Sequence, residues 1–302
     1  MAPRLLLAAA GMSRSWRGSE IVASRDGGVS YASLATIGAP ATAGTVIVAP
    51  SPGQTDRWDR ISAIDVELLS DDMTLESATE ASVLAGANLV LAGSEVLQFA
   101  TTTPIGARRF RLTTLLRGRR GTEAATGQHA AGERFVVLDI NRLANVDLPI
   151  DTFNAPLIVK ALGPGDDIAS VPPQLIMPAG MALRPLSPAT LSLRRQDDGG
   201  WLVTWTRRSR AGFGWIDGID APLGEDSEHY RLTLSLDGII VRVTDVTEAR
   251  WMYNGTAFTA DGGTRASILV VAVAQVSATV GPGTAALTTI DLTAIPGRIF
   301  HG

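Results

Sequence analysis

"LLRGRRGTEAATGQHAAGE", residues 115–133, is the stretch whose reading decides the fold. A strand-like run, Arg109 to Leu116, leads into it, and an apolar run, Phe135 to Leu138, leads out. Four readings compete: active-site loop, phosphate cradle, nucleic-acid patch, or a connector between strands. A phosphate cradle requires G-x-x-x-x-G-K-[ST] ahead of a helix. Here Gly118 and Gly121 are too close, no lysine follows them, and the run before them is studded with arginine. Phe110 and Leu112 alternate with Arg109 and Arg111, the period-2 pattern of a half-buried strand. The stretch therefore reads as a connection inside a sheet.

The same rhythm extends outward. Ile64, Val66 and Leu68 alternate with polar residues, and Leu89–Leu91, Glu95–Ala100, Phe135–Asp139 and Ala155–Leu162 read as further strands. Gly86, Gly93 and Gly106 suit the turns between them. Residues 1–60 are loop-rich, with strands expected at 30–37 and 45–49, and Met73 to Glu80 suits a helical turn. Prolines at 172, 173, 178, 185 and 188 concentrate as they do in an extended linker. Beyond them come seven short strands, 189–194, 201–207, 230–236, 239–243, 251–253, 268–276 and 287–292. Asn254-Gly255 is expected to turn a hairpin into a further short strand, 256–258. That count over about a hundred residues describes a β-sandwich. The expected organisation is a β-rich domain over 1–170, a Pro-rich linker over 171–188 and a sandwich over 189–302.

Composition agrees with an all-β chain. Of 302 residues, 45% are hydrophobic and 19% charged, with 31 glycines and 16 prolines, enough apolar matter for sizeable cores and many tight turns. A net charge of −4 argues against a nucleic-acid binder. There is no cysteine, which removes disulfides and thiolate metal sites. The run Leu5 to Ala10 is short for a signal segment, and Ile268 to Val276 falls well below the ~20 apolar residues of a membrane helix, so neither a cleaved leader nor membrane insertion is expected.

Several stretches carry a resemblance. "RWDRISAIDVELLSDDMTLES" (57–77), "LAGANLVLAGSEVLQFA" (84–100), "FRLTTLLRGRRGTEAATGQHAAGE" (110–133) and "WTRRSRAGFGWIDGIDAPLGEDSEHY" (205–230) are similar, in this order, to the C-terminal part of the large tail-tip protein of gene transfer agents and related siphophages. Residues 268–283 resemble the late strand and following turn of a fibronectin type III module. The resemblance implies a β-rich baseplate domain, a fibronectin-like sandwich at the periphery, and a structural, non-catalytic role in a virion tail tip. It also implies other baseplate proteins as partners, a threefold assembly, and a connection to host-recognition elements. Relatives are longer and carry a barrel-like domain and hub domains upstream, so central-hub and wall-degrading roles are not expected of this chain.

Arg117, Arg119 and Arg120 lie in an arginine-dense strip, 108–120, with few aromatics beside it, which does not suit single-stranded nucleic acid. They are expected to pair with local carboxylates such as Glu123 and Glu133, or with a neighbouring subunit. His129 is expected to order this loop by hydrogen bonding. His129, His229 and His301 show no ligand spacing for zinc, and Gly11-Met12-Ser13-Arg14-Ser15 lacks the second glycine of a nucleophile elbow. Adjacent acids at 71–72, 166–167 and 225–226 read as solvated turns rather than a glycosidase pair. Asp217, Asp220, Glu225, Asp226 and Glu228 cluster without EF-hand spacing. No cofactor is expected. Trp201 and Trp205 fall on one side of a strand, with Trp205 the expected core tryptophan. Trp215, in a long loop, is the candidate surface contact for a rival reading, a carbohydrate-binding module touching host glycans. A glycan-array signal lost on Trp215→Ala would favour that rival.

Overall fold

The computed structural model describes residues 4–11, 15–149, 152, 154–178, 180, 183–210 and 222–294. The chain divides into two compact units, Met1–Ala182 and Leu183–Gly302. Both are built almost wholly from antiparallel strands.

In the first unit the strands are β1 (Arg4–Leu7), β2 (Ser19–Ser24), β3 (Ala32–Ile37), β4 (Ala43–Val48), β5 (Ile64–Leu68), β6 (Leu89–Ala92), β7 (Glu95–Gly106), β8 (Arg109–Arg119), β9 (Arg134–Val137), β10 (Ala144–Asp147), β11 (Leu157–Leu162) and β12 (Gln174–Ile176). A short helix, α1 (Glu80–Leu84), precedes β6, with the Thr79 hydroxyl accepting from the Ser82 N–H at its start. Six of the strands close on themselves in the order β4-β5-β8-β7-β6-β9, and β9 completes the ring by pairing with β4. Closure leaves no unpaired strand edge, and it turns one face of every strand inward. Val46, Ile64, Val66, Leu68, Leu97, Phe99, Leu112, Leu115 and Phe135 fill that interior. The other strands form a four-stranded sheet, β12-β11-β2-β3, and a pair, β1-β10. Ile21, Ile37, Leu157 and Val159 form their core.

The β-rich domain expected over 1–170 thus contains a closed barrel. Two expectations need correcting here. The loop-rich reading of 1–60 missed β2, whose run Ser-Glu-Ile-Val-Ala-Ser buries both faces in part and so lacks clean alternation. The stretch 171–188 is not linker throughout, because Gln174–Ile176 pairs with Leu157–Val159. Pro173 and Pro178 flank that strand, and proline is tolerated beside an edge strand because no partner needs its missing N–H. Limited proteolysis of the full chain is therefore expected to cut first within 177–188, C-terminal to β12. First cuts inside 43–137 or 230–277 would show the units to be divided elsewhere.

The second unit has β13 (Ala189–Arg195), β14 (Trp201–Thr206), β15 (Tyr230–Leu236), β16 (Ile239–Val246), β17 (Arg250–Tyr253), β18 (Ile268–Ser277), β19 (Gly281–Pro282) and β20 (Ala286–Asp291). One sheet runs β13-β14-β17, and the other, of five strands, runs β16-β15-β18-β19 with β20 also paired to β18. Apart from the two-residue β19, three strands face four in the layout of a fibronectin type III-like sandwich. Trp201, Val203 and Trp205 project from the first sheet, and Tyr230, Leu232, Leu234, Leu269, Val271 and Val273 from the second, all into one core. Trp205 meets Tyr230 edge-on at 5.0 Å.

The hairpin expected at Asn254-Gly255 is absent. Asn254 instead starts a helix, α2 (Gly255–Ala260), and its side chain accepts from the Ala257 N–H at 2.8 Å. Asn254 holds φ −66° and ψ 159°, the extended geometry of an N-cap rather than the left-handed one a tight hairpin demands. The helical turn carries Phe258 back onto the Tyr253 ring, 5.8 Å away and edge-on.

Candidate functional site

The alternation that builds the barrel also brings charge inside it. Leu97 and Phe99 face inward along β7, and Glu95, two residues earlier, faces the same way. On β8 the left-handed Thr114 (φ 56°) shifts the alternation, after which Leu115 and Arg117 both point inward. Arg117 and Glu95 are each 0% exposed at the side chain and meet as a bidentate pair, Nε to Oε1 at 2.8 Å and Nη2 to Oε2 at 2.8 Å.

The rest of the guanidinium is also bonded. Nη1 donates to the Ser51 carbonyl at 3.0 Å and to Asp59 Oδ2 at 3.4 Å, and Nη2 donates to the Thr126 carbonyl at 3.1 Å. Every N–H of Arg117 is thereby satisfied, the condition under which a buried arginine is tolerable. One side chain ties together β7, β8, the 51–59 segment and the 121–133 connection.

Glu95 gathers further donors: the Gly118 N–H at 2.6 Å and His129 Nε2 at 2.6 Å. Gly118 sits at φ +58°, and a Cβ there would stand 2.7 Å from Thr55 Cγ2 and 2.8 Å from Glu123 Cα. Only glycine allows the backbone to approach the carboxylate so closely. Burial pushes the Glu95 carboxyl up, but the bonds from His129, Arg117 and Gly118 outweigh it and hold the group below its ordinary range. Asp59 behaves alike: burial raises it, and the Ser62 backbone and hydroxyl, the Ile61 N–H and Arg117 together depress it.

The predicted residues separate in the structure. Arg117 lies on β8 rather than in the loop, and its carboxylates are Glu95 and Asp59, not the expected Glu123 and Glu133. Glu133 bonds His129 instead, at 2.8 Å from Nδ1. Arg119 Nε donates to Gln98 Oε1 at 3.2 Å. Arg120 is exposed, at φ 59°. Glu123 is buried at the start of a 3-10 turn, Glu123–Ala125, directly beneath Gly118. Glu95 and Asp59 escaped the sequence reading. Glu95 had a signal, since the period that puts Leu97 and Phe99 inside puts it inside too; Asp59 sits in an irregular segment and had none.

The remaining arginines of the strip are paired within the chain. Register sets Asp65 opposite Arg111 and Glu67 opposite Arg109. Arg111 forms a bidentate pair with Asp65 at 2.7 Å, Arg109 reaches Glu67 at 3.0 Å, and Arg108 reaches Glu67 at 3.1 Å and the Leu69 carbonyl at 3.0 Å. The charges of Arg108, Arg109 and Arg111 therefore meet Asp65 and Glu67 within the chain, across β5 and β8.

Trp201 and Trp205 are buried in the sandwich core and offer no sugar platform. Glu225, from the acidic cluster, is bound by Arg210 at 2.6 and 3.1 Å. Trp215, Asp217, Asp220 and His301 lie outside the described residues. Among the described residues no group of three or more His, Asp or Glu is arranged to hold a metal ion.

Comparison with known proteins gives one partial family match and slight likeness to solved structures. Residues 41–136 match the family model described as "Rcc01698-like, C-terminal", less than half of the chain. No curated protein matches the sequence. Among solved structures, the chain is similar to the rat CD45 extracellular region, domains d3–d4, at 10% identity over 42% of this chain and 58% of that one, with a TM-score of 0.28. It is also similar to the chicken CNTN1 FN1–FN3 domains, at 10% identity over 96% of this chain and 94% of that one, with a TM-score of 0.24. Likeness this slight carries no argument; the sandwich rests on its own strand order. The family match is consistent with a protein of a gene transfer agent or phage tail.

Proposed function

We propose that the chain is a structural, non-catalytic component of a phage or gene-transfer-agent-like tail tip. Its barrel locks into the baseplate, and its fibronectin-like sandwich lies toward the periphery. One observation carries this reading. The residues matching a family named for a gene associated with the Rhodobacter capsulatus gene transfer agent, 41–136, coincide with the closed barrel, 43–137. The motifs at 57–77, 84–100 and 110–133 fall within it.

The chemistry of the barrel supports a mechanical role. Its most elaborate polar constellation, around Arg117, is sealed from solvent and fully bonded, which suits a rigid body and offers no reacting atom to a substrate. In the particle the chain forms a threefold ring with other tail-tip proteins. Ring closure requires heterologous patches, one face of each subunit fitting a different face of the next. With 108–111 paired to β5, those patches lie elsewhere, and lasting interfaces should bury upward of ~2,000 Å² and be partly apolar. A map of the intact particle tests the proposal. Threefold density containing this chain at the tail tip supports it; a sixfold ring or a single copy sinks the threefold assembly, and density elsewhere sinks the tail-tip role.

A further inference from the structure

We propose that His129 makes the 121–133 connection a pH-sensitive clasp on the barrel, held shut by the imidazolium and loosened when the ring loses its proton. The inference concerns the folded chain itself and stands apart from where the chain resides.

The geometry is specific about protonation. Nε2 lies 2.6 Å from Glu95 Oε2, and Nδ1 lies 2.8 Å from Glu133 Oε2, with the histidine side chain 3% exposed. Ionised carboxylates only accept hydrogen bonds, so both ring nitrogens must donate, and only the doubly protonated ring can do that. A neutral ring turns one lone pair toward a carboxylate oxygen within 3 Å, replacing a charge-assisted bond with repulsion in a buried site.

The surrounding charges sharpen the effect. Glu95 faces the ring from β7 and Glu133 from the residue before β9; Arg117 on β8 shares Glu95, and Asp59 joins through Arg117. Arg117 and His129 thus stand against three carboxylates. Without the imidazolium, Arg117 alone offsets Glu95 and Asp59, and Glu133 keeps only the Ala130 N–H among the bonds described.

The clasp bears on the strand that closes the ring. Glu133 immediately precedes β9, which pairs with both β4 and β6. The β6–β7 turn seats on the same carboxylate: Gly93 (φ +56°) leaves room where a Cβ would stand 2.6 Å from Glu133 Oε2, and its N–H donates to the Arg134 carbonyl at 2.9 Å. Loosening His129 therefore frees the connection and the start of β9 together.

The direction of titration follows. The Glu95 bond raises the His129 pKa, burial opposes it, and the Glu133 bond and both carboxylate charges add to the rise, leaving the group above its ordinary 6.5. A group raised on folding stabilises fully below its unfolded pKa, and that stability is lost as pH climbs through the folded value. The clasp is therefore tight at mildly acid pH and loosens on the alkaline side of 6.5. Depressed Glu95 and Asp59 set the opposite limit, their contribution being lost as pH falls through their folded values.

The test uses the full chain. The His129 ring is titrated by NMR, and amide exchange over 121–133 is followed from about pH 6 to about pH 9, corrected for the intrinsic rate. Protection should fall with the His129 midpoint, above 6.5, by about tenfold for each unit by which folding raises that pKa. Glu133→Gln should lower the midpoint, and His129→Gln should remove the pH dependence. A His129 midpoint at or below 6.5, or protection that ignores pH, overturns the proposal. If His129→Gln does not fold, the wild-type titration and Glu133→Gln decide it.

Discussion

Arg117→Ala is expected to destabilise the barrel by about 3–5 kcal/mol, the cost of removing one partner from a buried ion pair. The substitution does more than delete one bond. Glu95, 0% exposed, keeps only His129 and the Gly118 N–H, and the Ser51 and Thr126 carbonyls lose their donor. A domain of this size is stabilised by about 5–15 kcal/mol in total, so the variant should sit near the threshold of folding. Arg57→Ala is the control: its side chain is 66% exposed and pairs with the neighbouring Asp56 at the surface, and its removal should leave the unfolding transition in place. Arg117→Lys should recover part of the loss, since an ammonium supplies charge but cannot match the planar fork of donors. Denaturant unfolding of the full chain reads all three. A loss below about 1 kcal/mol for Arg117→Ala, within the range of a single ordinary hydrogen bond, would show that the network does not hold the barrel.

This dependence explains why the site was only half legible in sequence. The strands were legible because alternation is local: Ile64/Val66/Leu68 and Tyr230/Leu232/Leu234 reveal their inward face within a few residues. Ring closure was not, because pairing β9 with β4 joins residues about ninety positions apart and leaves no mark on either strand's period. Arg117 stood out by residue type and position, whereas its partner Glu95 lies on another strand. The two meet only through the β7–β8 register, which slips at both Val96/Gln98 and Pro104/Gly106. The charge strip at 108–111 misled for the same reason. Seen alone it invites an external partner, and only the β5–β8 register shows its acids on the neighbouring strand of the ring. Asn254-Gly255 failed differently: the dipeptide serves a tight turn and an N-cap equally well, and the choice fell to Phe258, whose ring needs Tyr253.

In the second unit the largest single effect is expected at Trp201. It is 2% exposed, the largest of the fully buried side chains, and it shares one core with Val203, Tyr253, Leu232 and Val271. Trp201→Ala is expected to cost about 3–5 kcal/mol, combining lost transfer energy with the cavity left between two hydrogen-bonded sheets that cannot collapse onto it. Hydrogen bonding adds little to that figure, because the indole Nε1 finds no partner among the described residues and alanine orphans no acceptor. Trp201→Phe, which keeps most of the volume, should lose far less. Trp251→Ala should also lose less, since Trp251 is only partly buried, stacked at 5.4 Å on Tyr253. The readout is amide exchange resolved by segment. Strands β14, β15 and β18 should lose protection together, because the sandwich core is one contiguous cluster, while β5, β7 and β8 of the other unit keep theirs. Equal loss in both would show that the two units fold as one cooperative body. Unchanged protection in β15 and β18 would show that the sheets do not depend on Trp201 for their packing.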